Sequence, residues 1–167
     1  YRRDTAPELS RFAADAVVFD QAIAPSSWTK PSVASLFTSL LPRDHGCVQF
    51  YTPLHPGLVT LAERMRDHGY TTGAVVANPL VLAKNMHFDQ GFSYFAAPAA
   101  PGRAGQVVDA ALAFLDARKG LPTFLYVHTM DAHTPYQPPP PFDRKFGPRP
   151  QPGRAAAEPS DYRVPAD

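Results

Sequence analysis

Two short apolar runs restrict the fold of this chain more than any other feature. They are Gly73-Ala74-Val75-Val76, within Tyr70 to Ala77, and Thr123-Phe124-Leu125-Tyr126-Val127-His128. Both are too short for helices and rich in residues that favour strands. Neither alternates apolar with polar, so each reads as a strand buried on both faces, the condition of a parallel sheet covered by helices. Ala16-Val17-Val18-Phe19 reads as a third such strand. Stretches with helical spacing lie between them: Leu58, Leu61, Ala62 and Met65, then Val108, Ala111, Leu112 and Leu115. Helix alternating with strand predicts an α/β class, part of a three-layer domain with a mostly parallel sheet and flanking helices.

Local signals place the remaining elements. Thr5 and Glu8 have capping-box spacing, Pro7 suits a first turn, and Leu9, Phe12 and Ala13 are the expected buried face of a helix ending near Asp15. Arg43 to Gly46 and Pro53 to Gly57 read as turns, Gly69 as a helix end, Asn78-Pro79 as a strand breaker and Ala97 to Gly105 as a small-residue linker. Cys47, the one cysteine, reads as a small buried apolar residue and leaves neither a disulfide framework nor a cysteine zinc site. Ten of the twenty prolines fall in the last 33 residues. The expected division is therefore an α/β part over residues 1–137 and a Pro-rich C-terminal tail, extended or disordered, over 138–167.

The formal net charge is +1, which argues against a nucleic-acid surface or a polybasic membrane patch, and no stretch approaches the ~20 apolar residues of a membrane span. The first residues, Tyr1-Arg2-Arg3, carry no signal peptide and no initiating Met, so the chain reads as a segment of a longer protein and its compartment stays unknown.

Candidate chemistry gathers where strands end, because ligands of open parallel sheets bind at the carboxyl ends of the strands. After the first predicted strand comes Ser26-Ser27-Trp28-Thr29-Lys30-Pro31-Ser32, leading into a helix with Val33, Leu36, Phe37 and Leu40 on one stripe and running to about Leu41. Thr29 lies near that helix's N-terminus, where free N–H groups and the dipole favour an anion. On local grounds its hydroxyl is first a helix cap and second a nucleophile. Asn78 follows the second strand. The third delivers His128-Thr129-Met130-Asp131-Ala132-His133-Thr134, with His133 the candidate contact.

Four segments, in order, resemble the sulfatase family of the alkaline phosphatase superfamily. Ala24 to Thr38 resembles the signature in which Cys or Ser is followed by any residue, Pro, Ser, Arg and then Ala-Ser-Leu-Leu-Thr-Gly. Pro42-Arg43-Asp44-His45-Gly46 resembles the following Tyr-Pro-x-x-His-Gly, Thr60 to Thr72 the family's next helix and strand, and Tyr126 to Tyr136 its His-x-Met-Asp-x-His-x-Pro-Tyr segment. The resemblance implies a metal-dependent hydrolase of sulfate or phosphate esters acting on a small anionic ester. It also implies one or two divalent ions (Ca, Mn, Mg or Zn) and a periplasmic, secreted or membrane-anchored setting.

The departures alter what is implied. Thr29 aligns with the residue that sulfatases convert to formylglycine, so no formylglycine is expected. A formylglycine hydrate attacks with one oxygen and expels sulfate with the other, whereas Thr has one oxygen. A phosphorylated Thr can be cleared by water or passed to an acceptor alcohol, so Thr29 as nucleophile and metal ligand favours phosphoryl or phosphodiester chemistry. Val33 replaces the signature Arg, and Ala77-Asn78-Pro79 aligns with a Lys-Trp-His. His133, Asn78 and Lys30 are the expected substrate contacts. The family's remaining metal ligands, an Asp pair before the first strand and an Asp with Asn or His downstream, are expected outside this chain. The 167 residues alone are accordingly expected to be inactive. A degenerate anion binder and a Pro-rich binding module without catalysis stand as alternative readings.

Overall fold

The computed structural model describes residues 5–82, 84–97 and 103–145. Its centre is a three-stranded parallel sheet of order β2-β1-β3, with β1 at Thr71–Val76, β2 at Tyr94–Ala96 and β3 at Thr123–His128. In register, Thr71 faces Thr123 and Val76 faces His128. Gly73 faces Tyr94 on the other side. Residues of β1 alternate between two cores. Ala74 and Val76 join Tyr126 in a cluster with Val33, Phe37, Leu54 and Phe88. Val75 and Leu125 turn the other way, onto Val107 and Ala111. The sheet thus has helices on both faces.

On one face lies α2, Thr29–Thr38, which leads into the single turn α3, Pro42–His45. On the other lies α6, Ala104–Asp116, carrying the crossover from β2 past β1 to β3. The helix α4, Leu61–Asp67, packs on β1 and α2. It starts on a capping box in which Glu63 N–H donates to Thr60 Oγ1 and Thr60 N–H donates to Glu63 Oε2, at 3.2 and 2.8 Å. Gly69, at φ +83°, follows its last turn in the left-handed conformation that glycine adopts without strain. The remaining helices are α1, Pro7–Ala14, and α5, Pro79–Leu82.

Several expectations are corrected. Ala16–Phe19 is not a strand: Val17, Val18 and Phe19 are 83%, 58% and 78% exposed. Its composition suits a strand, but a strand exists only with a ladder partner, and among the described residues it has none. In α1 no side chain caps the helix, whose N-cap is Ala6, and Leu9 and Phe12 are exposed. In α6 the buried stripe is Val107, Ala111 and Phe114, one residue out of phase with the expected one, while Val108, Leu112 and Leu115 face outward. Both sides of this helix are apolar, so periodicity alone gave no unique phase. The helix after Thr29 ends at Thr38 and Ser39 takes a left-handed cap, leaving Leu36 exposed. The short β2, which the sequence reading did not include, lies just before the expected linker that starts at Ala97. Of the Pro-rich tail, residues 138–145 are described, as coil and a 3-10 turn at Phe142–Arg144; residues 146–167 lie outside the description.

The tightest backbone approach is at Gly73, where an added Cβ would fall on the Phe114 ring. Phe114 is 3% exposed and has no free direction to move. Gly73→Ala should cost about 1–3 kcal/mol, whereas Gly105→Ala, inside α6 with open space around it, should stabilise by about 0.5–1 kcal/mol. Urea unfolding of the two variants should shift in opposite directions; equal midpoints would contradict the packing of α6 on β1.

Candidate active site

The direction of α2 places its first residue. At its start, Lys30 reaches Met86, and Val33 shares a core with Met86 and Val81, residues that follow β1. Towards its end, Phe37 packs on Phe92, which lies just before β2, with ring centroids 5.6 Å apart. The helix therefore runs antiparallel to the strands and presents Thr29 at their carboxyl edge. Tyr126 of β3 meets Phe37 edge-to-face at 4.9 Å. His128, two residues further on, lies on the same face and towards the same edge.

Thr29 is the first residue of α2 and is half-buried. The N-cap is Trp28, in extended conformation, and no side chain caps the helix. The cap reading of Thr29 is therefore corrected: its hydroxyl makes no hydrogen bond among the described residues. Pro31, in the same turn, has no N–H to satisfy. Ser32 Oγ donates to Ser26 O at 3.0 Å and so ties the approach loop to the helix. What results is a helix N-terminus with an open hydroxyl and free backbone donors, an arrangement suited to an oxyanion.

The other candidates are placed differently. Lys30 is fully buried, its Nζ donating to Gln49 O at 3.0 Å, Phe50 O at 2.8 Å and Met86 Sδ at 3.2 Å. Asn78 is 3% exposed. Its Oδ1 accepts from Leu80 N–H and Val81 N–H at 2.9 and 3.3 Å, which caps α5, and its Nδ2 lies 3.3 Å from Met130 Sδ. Through Met130, Asn78 touches the loop that carries His133. His133 itself is exposed, its Nδ1 2.7 Å from Thr134 O. No hydrogen bond among the described residues joins Thr29, Asn78 and His133 to one another. Asp131 Oδ2 accepts from Ala104 N–H at 2.6 Å, so its carboxylate sits on the N-terminus of α6.

Sequence reasoning passed over two histidines. His128 closes β3 at the carboxyl edge, its Nδ1 3.1 Å from the Tyr126 hydroxyl. Burial holds its pKa below the ordinary value and pushes that of Tyr126 up to about 12. The signal was available: a histidine ending a buried strand. His45 is buried and links α3 to α2. Cys47 N–H donates to its Nδ1 at 3.0 Å, so the proton sits on Nε2, which bonds Ser35 Oγ at 3.1 Å. Burial lowers its pKa, and the neutral ring is what this network needs. Cys47 is buried, as read from the sequence.

Among the described residues no three His, Cys, Asp or Glu side chains gather as a metal site. Thr29 offers one hydroxyl oxygen and Asp131 is bonded elsewhere. These residues do not by themselves fit a divalent ion, and no step is derived through one.

The sulfatase family model matches residues 1–162. The chain belongs to the sulfatase family. A protein solved with its substrate D-glucosamine-2-N,6-O-disulfate matches this sulfatase-family fold with a TM-score of 0.68 at 18% identity, covering 79% of this chain and 30% of that one. Ps i-CgsB, solved with k-i-k-neocarrahexaose, matches with a TM-score of 0.64 at 18% identity, covering 80% of this chain and 41% of its own. These likenesses show the fold, and the chain spans less than half the length of either protein. No curated protein sequence matches the chain. No described helix is long and apolar enough to cross a membrane.

The lowered pKa values of His45 and His128 have a consequence for stability. Below the ordinary histidine value of 6.5 the unfolded chain binds more protons than the folded one, so stability should fall as pH falls through that region. Urea midpoints measured at about pH 7.5 and about pH 5.5 should differ, and His45→Gln should flatten the difference. A wild-type midpoint independent of pH would contradict the buried neutral imidazoles.

Proposed function

We propose that this chain contributes the nucleophile segment of a sulfatase-like hydrolase whose substrates are small anionic esters, with Thr29 as the attacking group. The observation that supports this reading is the position of Thr29: a hydroxyl with no hydrogen-bond partner among the described residues, on the first residue of α2 and at the carboxyl edge of a parallel sheet. The alignment with the family's nucleophile coincides with that position.

Chemistry on one hydroxyl oxygen favours phosphate. Attack on a phosphodiester forms an O–P bond from Thr29 and releases an alcohol; water or an acceptor alcohol then displaces Thr29 from phosphorus and returns its hydroxyl. The same sequence on a sulfate ester lacks the second oxygen that a formylglycine hydrate uses to expel sulfate. His133, in the exposed loop after β3, is proposed to contact the transferred group or the leaving group, and Asn78 is proposed to order that loop through Met130. Thr29 is also proposed to be one ligand of a divalent ion whose other ligands would come from outside the described residues.

Thr29→Ala should abolish turnover by an enzyme containing this segment while leaving its unfolding midpoint within about 0.5 kcal/mol of wild type. A panel of aryl sulfate, phosphate monoester and phosphodiester reads the ester class, with the phosphodiester expected to turn over fastest. Unchanged activity in Thr29→Ala would end the assignment; preferential turnover of the aryl sulfate would end the phosphoryl reading. The 167-residue chain alone should show no turnover on the same panel.

A further inference from the structure

Lys30 is an unusual residue for a protein interior: its side chain is completely buried, and all three of its partners are neutral. Two carbonyls and a thioether are all acceptors, a set that the three donors of an ammonium group satisfy. Among the described residues no carboxylate pairs with it, and the ion pairs Glu8–Arg11, Arg43–Asp44 and Arg66–Asp67 all lie on the surface. The nearby Cys47 thiol is held neutral because burial pushes its pKa up. Buried charges are normally paired, because removing an ion from water is costly. Among the described residues the cation thus has no counter-charge, and it lies next in sequence to Thr29.

We propose that Lys30 is a positioning residue whose uncompensated charge, acting through the first turn of α2, draws the anionic ester to Thr29. It takes over electrostatically from the Arg that Val33 replaces. The ammonium does not touch the ligand. Its three bonds pin the start of α2 to Gln49, Phe50 and Met86, and its charge adds to that of the helix N-terminus. Covalent geometry keeps it within roughly 12 Å of the Thr29 hydroxyl. At an effective dielectric of about 20, a unit charge at that range changes an anion's affinity by about tenfold.

The inference rests on the anion site proposed at Thr29, and one experiment separates the two. The full chain is titrated with inorganic phosphate and with sulfate, following the Thr29 amide by NMR. Wild type should bind, and Lys30→Arg, which keeps the charge, should bind within about threefold of it. Lys30→Met and Lys30→Gln should both bind about tenfold more weakly. Lys30→Gln retains a donor for the two carbonyls and so remains informative if Lys30→Met fails to fold. A merely structural lysine would shift the unfolding midpoint in these variants and leave the anion affinity alone. Equal affinity in wild type and Lys30→Gln would overturn the role of Lys30 while leaving the Thr29 site standing. A Thr29 amide that no anion moves in wild type would overturn both.

Discussion

The edge-to-face contact between Phe37 and Tyr126 decides where everything on this side of the sheet lies. Phe37 is 2% exposed and also meets Phe88 and Phe92, at 6.2 and 5.6 Å. It joins α2 to β3 and to the loop leading into β2. Aromatic pairs of this geometry are worth about 0.5–1.5 kcal/mol each beyond their buried area, so one ring fixes the tilt of the helix against three elements. Because Phe37 lies towards the end of α2, eight residues from Thr29, the start of the helix is carried about 12 Å along its axis from this anchor. The fold then needs a second fastening near Thr29, and Lys30 provides it.

The two anchors differ in kind. Phe37 is held by dispersion and by removal of apolar area from water, which tolerate small shifts. Lys30 is held by two carbonyl bonds of 3.0 and 2.8 Å, which are directional. An apolar residue in its place would avoid the cost of desolvating a charge, but would leave the carbonyls of Gln49 and Phe50 without this donor. The other polar connections follow the same pattern. Ser32 to Ser26 and Thr60 to Gln90 each join a helix start to a loop, and His45 to Ser35 joins the short α3 back onto α2. Packing sets the layers, and side-chain hydrogen bonds set the loops between them.

β1 and β3 were legible in the sequence as short apolar runs; β1 is buried on both faces as expected, whereas β3 is only half-buried with Val127 exposed, and its β-forming composition rather than full burial marked it. β3 appears with the bounds its residues imply, and β1 within a residue of them. Legibility failed where one pattern fits two environments. Val17-Val18-Phe19 is as apolar as β1 but has no ladder partner among the described residues. In α6, two apolar stripes one residue apart compete for the sheet, and the one carrying Phe114 takes the space that Gly73 leaves open. At the site, the helix headed by Thr29 could be read, but its cap could not. Asn78 carried a readable signal of another kind, since Asn before Pro and an apolar run is the start of a helix. Lys30 was unreadable, because a lysine's default place is in water and the three acceptors that bury it come from residues 19 to 56 positions away.

That placement bears on how the proposed anion site would work without the cations that the family resemblance leads one to expect. By the resemblance, Val33 and the Ala77-Asn78-Pro79 turn stand where the family has charged groups; here Val33 serves the core and Asn78 a helix cap. A guanidinium that touches an ester discriminates by geometry, since its fork matches one oxyanion at a time. A buried ammonium in the role proposed for Lys30 would not; it would attract any anion of suitable charge and leave the choice of ester to the group proposed to attack. Under the proposed role of Thr29, discrimination between sulfate and phosphate would rest on how readily its single oxygen is released from the covalent product: water attacking phosphorus supplies that release, and the second oxygen by which a formylglycine hydrate expels sulfate is absent from threonine.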